Sequence, residues 1–95
     1  MEGLKITDVT VYGRKQKNER GEYGVATVTF NNSLRVYGIT VVDFLGKFAI
    51  RMPASFEEKS AYNPRGEIVR PVNDEFKREL AKAVIDKFEA VVMKA

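Results

Sequence analysis

Leu34-Arg35-Val36-Tyr37-Gly38-Ile39-Thr40-Val41-Val42-Asp43-Phe44-Leu45-Gly46-Lys47-Phe48-Ala49-Ile50-Arg51-Met52-Pro53 holds two apolar segments on either side of a turn sequence. β-Branched and aromatic side chains suit a pleated surface, and residues 43–46 supply the reversal, so the stretch specifies a hairpin. In its first arm Tyr37, Ile39 and Val41 are expected on one face, with Val36, Gly38, Thr40 and Val42 on the other. Apolar groups on both faces mark a central strand, and Gly38 predicts a gap or a bulge within it. In the second arm Phe48, Ile50 and Met52 alternate with Lys47, Ala49 and Arg51. Pro53 ends the pairing because it has no N–H to donate.

Upstream, residues 25–30 place Ala26, Val28 and Phe30 on one face against Thr27 and Thr29 on the other, a half-buried strand. Asn31-Asn32-Ser33 tolerates positive φ and returns the chain tightly into Leu34. Residues 4–12 read as a first strand ending at Gly13, with Ile6, Asp8, Thr10 and Tyr12 alternating with Lys5, Thr7, Val9 and Val11. Residues 14–24 between them are almost devoid of apolar groups and are expected to form a solvated, mobile loop, with Tyr23 its one sticky point.

Downstream, residues 54–66 lose periodicity, and Asn63-Pro64-Arg65-Gly66 matches a type I turn. Residues 67–72 are a candidate for one more short extended segment. Asn73 or Asp74 is the expected N-cap of a helix running to about residue 93, with Asp74 and Glu75 placed to complement its dipole. Leu80, Ala81, Val84, Ile85, Phe88, Val91 and Val92 fill one apolar arc that should lie on the sheet, and Lys77 interrupts its first turn. The predicted fold class is therefore α+β, a single domain over residues 1–95. It is an antiparallel meander of four to five strands packed by one C-terminal α-helix.

Composition narrows the chemistry. The 95-residue chain has no cysteine and no histidine, which removes disulfides, thiol nucleophiles, the common zinc sites and the side chain best suited to neutral-pH proton transfer. Glu57 and Glu58 are adjacent on a loop, and adjacency gives no opposed acid–base pair across a substrate. The glycines show no nucleotide-cradling spacing. No enzyme, metal, cofactor or small-molecule substrate is expected. No apolar run approaches the roughly 20 residues needed to span a bilayer, and the start at Met1-Glu2-Gly3 lacks a signal-peptide core, so a soluble cytoplasmic protein is expected. The net charge of +3 is concentrated in the loop after the first strand and is spread more thinly elsewhere, while the helix is balanced.

Ile6-Thr7-Asp8-Val9, residues 25–30, Ile39-Thr40-Val41-Val42-Asp43, Gly46 with residues 48–53, Gly66-Glu67 and Pro71-Val72-Asn73 together resemble the stage V sporulation protein G family. These patches keep the family's order and approximate spacing over about residues 5–75. The chain departs from the family pattern in its more basic first loop, in Phe44-Leu45 at the hairpin turn, in Arg70 before the prehelical proline, and in a shortened acidic tail. The resemblance implies a homodimer that binds DNA, RNA or both, with regulatory output linked to septation and sporulation.

Phosphate binding needs several cations converging on one surface. Two surfaces are candidates: Arg14, Lys15 and Lys17 in the first loop, with Arg20 nearby, and Arg51, Arg65 and Arg70 (with Lys59) joined to Lys77, Arg78 and Lys82 at the helix start. The alternatives are a solvated loop with no partner and simple rim packing of Lys77. Tyr12, Tyr23, Tyr37 and Tyr62 either stack on unpaired bases or complete a core or an interface. A different function class also fits: a protein-interaction module using an exposed strand edge or the Phe44-Leu45 turn.

Overall fold

Among the described residues, four strands and one α-helix follow in the expected order: β1 Ile6–Gly13, β2 Glu22–Phe30, β3 Leu34–Phe44, β4 Lys47–Arg51 and α1 Asp74–Phe88. The structure is a computed structural model that describes residues 3–94; the expectation resting on Met1 and Glu2 lies outside them. Each strand pairs antiparallel with the next, so β2 and β3 are central and β1 and β4 are edges. The segment at 67–72 does not become a fifth strand and shrinks to one bridge between Ala54 and Glu67. Its backbone is spent on the preceding loop, with Ile68 N–H donating to the Pro53 carbonyl at 3.1 Å, and Pro71 has no donor to extend a ladder.

Three register shifts correct the simple alternation. Between Ile6 and Asp8 an extra residue, Thr7, interrupts β1, so Ile6 packs on the core together with Val9 instead of facing away with Asp8. Between Glu22 and Gly24 the extra residue is Tyr23, and β2 begins at Glu22, inside what the sequence reads as loop. Opposite Thr27 the extra residue falls at Tyr37 and Gly38, whose φ of 79° glycine adopts without strain. Val36 and Ile39 then share the core side, and Tyr37 is left 66% exposed rather than joining Ile39.

Both hairpin turns use left-handed backbone, the geometry that matches strand twist. Asn31 and Asn32 have φ of 52° and close with Ser33 N–H donating to the Phe30 carbonyl at 2.9 Å. The second reversal is the two-residue pair Leu45-Gly46, with φ of 52° and 82°.

One face of the sheet meets α1. Val11, Ala26, Val28, Phe30, Ile39 and Val41 from the strands and Leu80, Val84 and Phe88 from the helix form the buried core. Gly13 and Gly24 pair across β1 and β2, and a Cβ on Gly13 would lie 2.9 Å from the Phe88 ring. The missing side chain of Gly13 thus makes room for the Phe88 ring, while that of Gly24 lets the two strands approach closely. Tyr23, Phe48 and Phe88 close this end edge to face, with centroids 4.9 to 5.9 Å apart.

Asn73 caps α1, its Oδ1 accepting from Phe76 N–H at 2.9 Å. Phe76, outside the predicted arc, packs on Phe30 at 5.7 Å. The helix continues into a π-helical turn, Glu89–Met93, with Lys94 N–H donating to the Glu89 carbonyl. Val92 packs against the core as the arc predicts, while this wider turn adds Met93 and leaves Val91 exposed, against the arc expected from a regular helix. Among the described residues no helix is long and apolar enough to cross a membrane.

Candidate functional site

Three of the nine cations singled out from sequence are held by the loop between β1 and β2. That loop has defined internal bonding. Asn18 Oδ1 accepts from the N–H groups of Arg20 and Glu22, both at 2.9 Å, and Gly21 N–H returns to the Asn18 carbonyl at 3.0 Å. Arg14 N–H continues the ladder to the Tyr23 carbonyl at 2.9 Å. Arg14, Lys15 and Lys17 line a groove of about 860 Å³ whose other walls include Tyr12, Val25 and Thr40. Lys17 also reaches across the sheet end to Asp43 at 2.6 Å. That hydrogen bond holds the Asp43 carboxyl below its ordinary range and raises the Lys17 ammonium above its own.

Arg51, Arg65, Arg70 and Lys77 come from β4, the 54–72 loop and the first turn of α1, and they line one groove of about 530 Å³. Asn63 makes the loop arrive there: its Oδ1 accepts from Glu67 N–H at 3.0 Å and its Nδ2 donates to the Glu67 carbonyl at 2.8 Å. Gly66 closes the turn at a φ of 66°, where a Cβ would strike the Ser55 carbonyl at 2.2 Å. Glu67 stands between two of the cations, 4.0 Å from Arg65 and 3.7 Å from Arg70. Lys77 is exposed at this rim.

Arg78 and Lys82 line neither groove. Lys82 is bound to Asp86 one helical turn on, at 2.6 Å, which raises its ammonium and directs it along the helix. Arg51 forms an ion pair with Glu22. Hydrogen bonds from Asn18 and Arg51 keep the Glu22 carboxyl below the usual carboxylate range. Such exposed pairs add little stability, but each carboxylate competes with an incoming anion for its cation.

Sequence reasoning missed these acidic counterparts. Glu22 and Asp43 lie far along the chain from Arg51 and Lys17, and only strand pairing brings them together. Asn18 was legible in principle, because Asn followed three residues later by Gly is a turn signal. Of the four tyrosines, Tyr23 is packed among aromatic rings, whereas Tyr12 and Tyr37 are exposed, at 69% and 66%.

The SpoVG family model matches residues 4–90. Two proteins named "Putative septation protein SpoVG", from Caldicellulosiruptor saccharolyticus and Caldicellulosiruptor bescii, are each 35% identical to this chain over 92 residues, covering 94% of it and 96% of themselves. A protein of the same name from Clostridium novyi is 33% identical over 91 residues, covering 93% of this chain and 83% of its own.

Proposed function

Because the chain belongs to the SpoVG family over residues 4–90, we propose that it is a non-enzymatic, dimeric nucleic-acid-binding regulator acting in the cytoplasm. The observation that carries this reading is the meeting of Arg51, Arg65, Arg70 and Lys77, from three separate segments, around one groove. Cations converging from separate segments suit a polyanion, which they bind by releasing its condensed counterions, in competition with Glu67 and Asp74 in the same groove. Arg14, Lys15 and Lys17 form the second contact region, and a second subunit doubles both. Arg78 and Lys82 are on the same helix but line neither groove, and are assigned a peripheral part. The name borne by the relatives, putative septation protein SpoVG, supports septation as the process such a regulator would serve.

The test is a salt titration of oligonucleotide anisotropy. For about four phosphate contacts, a fourfold rise in salt should weaken binding roughly a hundredfold. Absence of binding at low salt overturns the proposal. It would favour the second reading, a protein-docking module, which draws on the exposure of Phe44 at 64% and Leu45 at 86% on the hairpin tip.

A further inference from the structure

We propose that the uncovered face of the sheet is a track for single-stranded nucleic acid, running between the two basic clusters with Tyr12 as its base-stacking platform. This rests on the polyanion-binding reading above and adds the strand state of the ligand and the surface that reads it.

Strand register carries the argument. Tyr12 pairs with Val25, Val25 with Thr40, and Thr40 with Arg51, so these four residues form one row crossing all four strands. Directly paired residues share a face, and their chain neighbours Val11, Ala26, Ile39, Val41 and Ile50 pack in or against the core. The row therefore lies on the side away from α1. Three strand spacings make it about 14 Å long.

Both ends are cationic. Tyr12 leads through Gly13 into Arg14 and Lys15, which line the same groove as Val25 and Thr40. At the other end Arg51 also lines the groove of Arg65, Arg70 and Lys77. The two basic surfaces, separate in sequence, are thus the two ends of one path. The adjacent row adds the Thr10 and Thr27 hydroxyls, and Tyr37 stands beside Thr27 at the bulge.

This arrangement fits unpaired bases. A ring standing free on a broad sheet offers a π surface to a base that is not already stacked, threonine hydroxyls suit sugar and base edges, and the cations at either end take phosphates. A duplex shows only its phosphates here, so Tyr12 adds nothing to duplex binding. A second copy is a poorer occupant of this face, because a two-fold contact would set basic end against basic end. Among the described strand residues, Glu22 and Asp8 are the acidic groups on this side, and Glu22 is engaged by Arg51.

Fluorescence anisotropy with the full chain at low salt tests the proposal, using labelled dT12, U12 and a 12-base-pair duplex. The wild type should prefer the single strands at least tenfold. Tyr12→Ala should weaken them about 5-fold to 150-fold, the range for one stacked base, and leave duplex affinity unchanged, while Tyr12→Phe restores binding. Circular dichroism of the variants confirms the fold. Wild-type binding without single-strand preference, or with equal loss on all three probes in Tyr12→Ala, overturns the track and leaves the polyanion reading standing. No binding of any probe by the wild type overturns both. The dT12 and U12 arms separate DNA from RNA as the source of the strand.

Discussion

The two faces of one sheet, built from residues that alternate along the same strands, have opposite chemistry. Toward α1, Val11, Ala26, Ile39 and Val41 are shielded from water, and Gly13 lacks a side chain where Phe88 seats. On the other side Tyr12, Val25, Thr40 and Arg51 remain at the surface. A single step along the chain therefore separates a residue that holds the fold from one available for recognition. Burial of apolar area at roughly 25 cal/mol per Å² acts only on the covered face. The uncovered face is free to carry exposed rings and like charges because the buried apolar core lies on the other side.

The largest effect should come from the covered face. Phe88→Ala removes a fully buried ring that contacts Tyr23 and Phe48 and leaves a cavity beside Gly13, so urea denaturation should show a loss of about 3–5 kcal/mol. Next is Gly24→Ala, whose Cβ would lie 2.2 Å from the Tyr12 carbonyl oxygen and 2.7 Å from the Gly13 Cα. Backbone atoms cannot rotate away, and a loss of about 1–3 kcal/mol is expected in the same assay.

On the uncovered face, Tyr12→Ala should change stability by no more than about 0.5 kcal/mol, since its ring is mostly solvated. A loss comparable to that of Phe88→Ala would break the comparison between the faces. The smallest effect is acid sensitivity. Glu22 and Asp43 have lowered folded-state pKa values, so their stabilisation is complete above the ordinary carboxylate range and disappears as pH falls through the folded values. Melting temperatures measured from pH 6 to 3 should decline slightly on this account, and Glu22→Gln with Asp43→Asn should flatten that part of the decline. Glu22→Gln should also tighten oligonucleotide binding at neutral pH by releasing Arg51.

Much of this was legible residue by residue. Alternation in 25–30 and 47–52, the paired asparagines before Leu34, the pairing-stop at Pro53 and the cap at Asn73 are local signals, and each was realised. Tyr23 misled because it lies in a polar run, where local composition outweighs one aromatic ring; the core, short of a third ring beside Phe48 and Phe88, pulls it in and lengthens β2. Tyr37 and Ile6 misled because one inserted residue reverses every later assignment of face, and only pairing against a partner strand shows where the insertion falls. The basic residues were all visible, but their grouping was not. Arg51 could be joined with Lys77 by guesswork from sequence, whereas its registry with Tyr12 depends on four strands being paired at once.

The amino-acid sequence by itself determined the element order, both hairpin turns, the helix cap and the family, because turns, caps and apolar periods are set by interactions a few residues apart. Tertiary structure alone decided which cations share a groove, which acids restrain them, and which tyrosines meet solvent. Those properties depend on contacts between residues such as Lys17 and Asp43, whose separation in the chain carries no local energetic signal, and they exist only once the strands have taken register.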